Sequence, residues 1–304
     1  MRTWTDPAVV ESVRDAFPEW TALVFAILSS FGSVWFVAPV VVLAYWYCDR
    51  HRSAPWLGVV IGGYAVMTAT KAYFDVPRPA VDPAVTPESL PTLVAPIYGL
   101  LVEVDTSAFP SGHALAAVIV WGLLALEVDV GTRGQRTVVA GVMVILVSLS
   151  RIVLGVHFPA DVVAGAAIGV CYLATVLFVI GRVSDRDDRR SGTVAFALAA
   201  GIAAISFVVS GNADAATLFG GALGGLFAWQ FAAPPRQPWP RNLHGATLAL
   251  SGIGLLALVA LVLVLTDGIV VRFAVGAVAA VVVVSLPSFA SSKRQRGSAE
   301  TASD

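Results

Sequence analysis

Long uncharged runs alternate with short polar breaks along this 304-residue chain. A helix needs about 20 apolar residues to cross the hydrocarbon core of a bilayer. Nine runs approach or reach that length: residues 20–47, 55–74, 111–130, 137–156, 159–181, 193–210, 213–232, 245–266 and 268–287. The alanine-rich run at 193–210 is the weakest of them. Gly211-Asn212-Ala213-Asp214 and Thr266-Asp267-Gly268 have the composition of tight turns between spans. The pattern predicts an all-α, multi-pass transmembrane helical bundle of about nine spans. Ahead of it, residues 1–19 carry Asp6, Glu11, Arg14, Asp15 and Glu19, too many charges for a signal-peptide core. Val9, Val10, Val13, Ala16 and Phe17 recur there at roughly helical spacing, so this leader reads as an amphipathic surface helix or a polar lead-in.

Composition points the same way. Hydrophobic residues make up 57% of the chain and charged residues 13%, against about a quarter charged in soluble domains. A net charge of −1 gives no reason to expect a nucleic-acid partner. Two cysteines, Cys48 and Cys171, are too few for a disulfide framework or a cysteine metal site. Trp20, Trp46 and Trp56 near span ends read as interfacial aromatics. Gly220-Gly221 and Gly224-Gly225 set small residues on a helix face suited to close packing within the chain.

Basic residues orient the spans, because connections rich in arginine and lysine stay inside. With Arg50 and Arg52 inside, the alternate connections carry Arg133 and Arg136, then Arg182, Arg186, Arg189 and Arg190, then Arg236 and Arg241, and last Lys293, Arg294 and Arg296. That is 13 of the 19 basic residues, and it predicts an inside C-terminus in a cell-membrane protein. Asp185, Asp187 and Asp188 mix with the arginines of 182–190 in a solvated inner loop. Residues 75–108 form a long outer loop with six prolines, at 77, 79, 83, 87, 91 and 96. The expected partition is a leader at 1–19, a core at 20–181, accessory spans at 193–287 and a polar inner tail at 288–304.

Three polar clusters interrupt the apolar pattern, and the predicted topology puts all three on the outer face. Lys71-Ala72-Tyr73-Phe74-Asp75-Val76-Pro77-Arg78-Pro79 closes the second span. Pro110-Ser111-Gly112-His113 opens the third, and Ser150-Arg151 through His157 to Asp161 joins the fourth to the fifth. Ionisable groups near a bilayer are costly, which makes each a functional candidate. Lys71 is one of only two lysines in the chain, so an incidental interfacial anchor is a poor account of it. Asp75 beside Arg78 reads as a local charge pair or a solvated loop residue. Together the clusters outline a phosphate site. Lys71, Arg78 and Arg151 can neutralise a dianion. Ser111 and Gly112 sit where unpaired amides at a helix start favour an anion, and Gly112 admits an oxygen close to the backbone. His157 and Asp161 are four apart, so the carboxylate can orient one ring nitrogen while the other attacks phosphorus. His113 is placed to act as general acid and then base.

The pattern K-x6-R-P, P-S-G-H and S-R-x5-H-x3-D resembles the three-part signature of the type 2 phosphatidic acid phosphatases, or lipid phosphate phosphatases. Those enzymes share their site with bacterial acid phosphatases and vanadium haloperoxidases. All 11 fixed positions match in order between residues 71 and 161. The resemblance implies a phosphatase acting on a lipid phosphate or polyprenyl diphosphate at the outer face, without metal or other cofactor. It implies phosphate contacts from Lys71, Arg78, Arg151, Ser111 and Gly112, a phosphohistidine on His157 supported by Asp161, and His113 as acid. No second cluster of carboxylates or histidines suggests a metal, since His51 and His244 are predicted inside. A lipid phosphotransferase, and an inactive lipid transporter or scaffold, are the rival functions.

Overall fold

The computed structural model describes residues 4–92, 95–102, 106–183, 188–231, 250, 252–254, 257–259, 261–262 and 265–300. They form helices without strands. In chain order these are α1 (Pro7–Asp15), α2 (Thr21–Ser30), α3 (Val34–Tyr47), α4 (Arg50–Phe74), α5 (Ala95–Val102), α6 (Gly112–Glu127), α7 (Arg133–Val153), α8 (Pro159–Val183), α9 (Asp188–Ser210), α10 (Ala213–Phe231) and α11 (Ile269–Glu300). Among the described residues six segments are long and apolar enough to cross a membrane: Thr21–Tyr47, Arg50–Phe74, Arg133–Val153, Pro159–Val183, Arg189–Ser210 and Ile269–Ser288. The expected count of nine is not confirmed among these residues. The run at 245–266 lies largely outside the described residues, as do His244, Arg186, Asp185, Asp187, Arg236 and Arg241. The alanine-rich run expected to be weakest is one of the six. The run at 111–130 becomes α6, whose 16 residues rise only about 24 Å.

The chain falls into two compact units, Met1–Pro39 with Thr70–Thr175, and Val40–Ala69 with Val176–Asp304. In the first, α6 is buried along nearly its whole length, from Ala114 through Val120 and again at Leu123 and Ala125. A helix apolar all round is a core element, and α7 packs along it. Arg136 Nε donates to the Ala125 carbonyl at 3.0 Å, satisfying an acceptor left open at the end of α6. The predicted 20–47 span breaks into α2 and α3 at residues 31–33. There Ser30 Oγ donates to Ile27 O at 2.6 Å and Ser33 Oγ to Ser30 O at 2.8 Å, the local competition that interrupts helices. α1 starts on an Asp6 cap, with Pro7 in the first turn. Its Val13, with Phe17 just beyond, packs on a cluster of Ala22, Phe25, Ala26, Tyr98, Val102, Val153 and Leu154. The leader's apolar face is therefore docked on protein. α5 supplies Tyr98 and Val102 to that cluster, so the proline-rich loop contains a short helix that hydropathy alone does not distinguish from irregular chain.

The second unit centres on Tyr45, Trp46, Ala54, Phe196, Ala228, Trp229, Val283 and Val284. Pro287 lies inside α11, and having no N–H it leaves the carbonyl four residues earlier without its helical donor. That carbonyl, Val283 O, accepts Trp46 Nε1–H at 3.0 Å, and the neighbouring Val284 O accepts Tyr45 Oη–H at 2.9 Å. Trp46 (0% exposed) and Trp56 (5%) are thus core residues rather than interfacial ones, while Trp20 (68%) is exposed as expected. A Cβ on Gly220 would meet Phe273 O at 2.0 Å, and one on Gly224 would meet Ala277 O at 2.3 Å. The glycine face of α10 is filled by α11 of the same chain. Arg272 lies within 3.4 Å of both Asp214 and Asp267, one in each predicted turn. α11 continues through the expected tail to Glu300.

Candidate active site

All eight residues singled out from the motifs belong to the first unit. Lys71 lies in the last turn of α4 and donates to the Ser107 carbonyl. Past the helix end, Asp75 takes a φ of 42° and the chain turns extended. Val76 then pairs with the segment before α6: its N–H donates to Ser107 Oγ at 3.0 Å, and its carbonyl accepts Ala108 N–H at 2.8 Å. This pairing sets Arg78 over residues 106–107. Arg78 Nε donates to Thr106 O at 2.8 Å, and Nη2 reaches Thr106 Oγ1 at 3.3 Å and Ser107 O at 3.5 Å. Arg78 Nη1 donates to Val156 O at 2.7 Å and lies 3.4 Å from His157 Nε2.

His157 is carried by the turn between α7 and α8. The Arg151 carbonyl accepts the N–H groups of both Val156 and His157 at 3.2 Å, and Gly155 takes a φ of 75°, which a residue with a Cβ adopts only at a cost. Pro159 opens α8, as its fixed φ favours, so Asp161 falls in the first helical turn. Asp161 Oδ2 accepts Phe158 N–H at 2.9 Å and stands 3.5 Å from His157 Nδ1. The separation exceeds a hydrogen bond, and the buried Nδ1 has no hydrogen-bond partner. The expected His–Asp hydrogen bond is thus a close approach here; catalytic hydrogen bonds are often long before ligand binds. A guanidinium only donates. Facing Arg78, Nε2 is therefore the acceptor nitrogen, and the ring proton sits on Nδ1 towards Asp161. Burial above all, and then the positive fields of Arg151, Arg78 and Lys71, hold the His157 imidazole well below the usual histidine range. The ring is neutral, with a lone pair on the nitrogen beside the arginine.

The third cluster joins the same site through backbone. Ser111 N–H donates to the Asp161 carbonyl at 2.9 Å, tying the start of α6 to the first turn of α8. Ser111 holds the N-cap position without capping, and its hydroxyl is buried with no partner. Gly112 and His113 are the first two residues of α6. Their amides belong to the four at a helix start that find no intrahelical acceptor. Arg151, fully buried, donates from Nη1 to Ser29 Oγ at 2.6 Å. A carbonyl-lined guanidinium, a buried unbonded hydroxyl and a helix N-terminus suit a tetrahedral oxyanion.

Motif reading did not find Ser29, Thr106, Ser107 or Gly165. Ser107 had a weak signal, standing three residues before Pro110; Ser29 is one serine in an apolar run. Gly165 lies one helical turn after Asp161, where a Cβ would sit 2.4 Å from Ser111 O. A Gly165→Ala protein is expected to lose about 1–3 kcal/mol of stability, read as a melting temperature several degrees lower in detergent. Gly141→Ala, where a Cβ meets nothing within 4 Å, serves as the unaffected control. Equal melting temperatures would contradict the packing argument.

Comparison with known proteins follows the motifs. The PAP2 superfamily model matches residues 53–185. Phosphatidylglycerophosphatase B of Bacillus subtilis (strain 168) is 35% identical over 103 residues, covering 32% of this chain and 48% of that protein. The chain thus spans about half the length of this curated relative. The crystal structure of the first transmembrane PAP2 type phosphatidylglycerolphosphate phosphatase, from Bacillus subtilis, aligns with a TM-score of 0.48 and 22% identity, over 58% of this chain and 85% of that one. The stretch that matches the PAP2 superfamily model, residues 53–185, contains every one of the matched motif positions.

Proposed function

We propose that this chain hydrolyses a lipid phosphate through a phosphohistidine on His157. The observation that carries the reading is the His157 ring itself, with Nε2 3.4 Å from Arg78 Nη1 and Nδ1 3.5 Å from Asp161 Oδ2. In the first step the Nε2 lone pair attacks phosphorus, an N–P bond forms, and the P–O bond to the lipid breaks. His113, entering the step as an imidazolium stabilised by the negative charge of the bound phosphate, gives a proton to the departing oxygen. Arg78, Arg151 and Lys71, with the Ser111 hydroxyl and the α6 amides, hold the phosphoryl oxygens as charge shifts onto them. Asp161 stabilises the positive charge that the phosphorylated ring acquires. In the second step His113 takes a proton from water, the new O–P bond forms and the N–P bond breaks, releasing phosphate and restoring the neutral His157 imidazole and the His113 imidazolium.

The substrate is a phosphomonoester or diphosphate whose tail stays in the bilayer. The relative's name makes a phosphatidylglycerol phosphate the first candidate, with phosphatidate-like and polyprenyl diphosphate lipids beside it. The distribution of arginines supports a site on the outer face and an inside C-terminus. Among the described residues no three His, Cys, Asp or Glu side chains converge on a common point. On the proposed mechanism, purified protein is expected to release free phosphate from a lipid-phosphate panel at the same rate with or without EDTA, and to be inhibited by vanadate. Loss of activity in the chelator would overturn the metal-free chemistry. Transfer of label to a second lipid without free phosphate would favour the transferase instead.

A further inference from the structure

We infer that Ser29 is a positioning residue for Arg151, a role that rests on the function just proposed. Both side chains are buried, at 1% and 0% exposure, and Arg151 Nη1 donates to Ser29 Oγ at 2.6 Å across 122 positions of sequence. The neighbouring serines behave differently. Ser30 and Ser33 turn their hydroxyls back onto helix carbonyls one turn earlier, whereas Ser29 Oγ reaches across from α2 to accept from a motif arginine on α7. α2 precedes the residues that match the family model, which begin at 53. The three motifs therefore leave one of their phosphate-directed cations anchored by a residue outside them.

The physical consequence is orientational. An arginine side chain has four rotatable torsions, and its guanidinium grips two oxygens only when its plane faces them. A short hydrogen bond to a hydroxyl held on a packed helix fixes one corner of that plane. The backbone carbonyl of Arg151 also accepts the amides of Val156 and His157, so both the plane and the neighbouring turn are set by the same residue. Removing the Ser29 hydroxyl takes away one of the contacts that orient the head group and weakens its hold on the phosphoryl group without touching the nucleophile.

The test measures inorganic vanadate binding, and kcat and KM for a lipid phosphate, with full-length detergent-solubilised wild type, Ser29→Ala, Ser29→Cys and Ser29→Thr, beside their melting temperatures. Ser29→Ala and Ser29→Cys, the second keeping the volume but offering a poorer acceptor, are expected to bind vanadate about tenfold more weakly and to lose about tenfold in kcat/KM. Ser29→Thr, which retains a hydroxyl, should recover most of both. Unchanged vanadate binding in the alanine and cysteine proteins would overturn the role. So would equal loss in the threonine protein, or a loss that tracks melting temperature alone across the set. Wild-type protein that binds vanadate but turns over no lipid phosphate would remove the proposed function while leaving the anchoring of Arg151 to be decided by the binding series. Wild type that binds no vanadate would overturn both.

Discussion

Replacing His157 with alanine is expected to lower kcat by at least about 10⁴-fold while leaving vanadate binding within an order of magnitude. The imbalance follows from the geometry. His157 is almost wholly buried, and its Nε2 is the acceptor nitrogen facing Arg78; in the proposed mechanism it makes the bond to phosphorus but is one contact among many for a bound oxyanion. Lys71, Arg78, Ser111 and Arg151 remain when it is removed. Asp161→Asn offers a graded comparison. The amide keeps an oxygen for the Phe158 N–H, now accepted at 2.9 Å, and so preserves the turn, but it removes the charge behind Nδ1. A loss of roughly 10²–10⁴ in kcat, smaller than that of the alanine protein, is expected by analogy with an orienting carboxylate in a triad. Rapid quench with a ³²P-labelled lipid phosphate reads both. Wild type should accumulate acid-labile, base-stable label on protein, and His157→Ala none. A His157→Ala protein retaining more than about a tenth of wild-type kcat would sink the phosphohistidine.

How far such a site can be read from sequence depends on what kind of contact defines it. That the motif residues would meet was legible because their residue types and spacing are restrictive together. A cation seven before an Arg-Pro pair, a histidine four before an aspartate and a glycine at a helix start have few other reasons to coincide in one chain. The long apolar runs were legible because length alone separates a span from a loop. What was not legible depended on which way a face points. Trp46 and Trp56 stand near span ends, as interfacial aromatics do, yet both are buried, and Trp46 bonds a carbonyl that Pro287 leaves open more than 200 positions away. Ser29 carries no local pattern and Ser107 only a weak one, since each meets a partner distant in sequence. α6 illustrates a subtler case. Its hydropathy matches a span, but a helix enclosed by protein need not be as long as the bilayer is thick.

Arg78 is expected to give the second largest effect, and the substitution that separates its functions is lysine. The guanidinium serves two sets of partners. Nε and Nη1 donate to the carbonyls of Thr106 and Val156 at 2.8 and 2.7 Å, joining the strap before α6 to the turn that carries His157. Nη2 makes longer contacts, 3.3 Å to Thr106 Oγ1 and 3.5 Å to Ser107 O, and these are the ones a phosphoryl oxygen can displace at little cost. A lysine keeps the charge but has one nitrogen to cover what the fork covers with three. It cannot hold both carbonyls and still meet a phosphoryl oxygen. Arg78→Lys should therefore lose roughly 10²–10³ in kcat/KM, the scale of about 3–4 kcal/mol expected for preorganised charge-assisted contacts. Arg78→Ala should lose more, because the Thr106 and Val156 carbonyls lose these two donors. Vanadate affinity, measured by competitive inhibition, should weaken in parallel in both proteins, since the lost contacts are to the phosphoryl group rather than to the leaving lipid. If Arg78→Lys stays within about threefold of wild type in kcat/KM, its charge alone is what matters, and the fork geometry at His157 is not part of the mechanism.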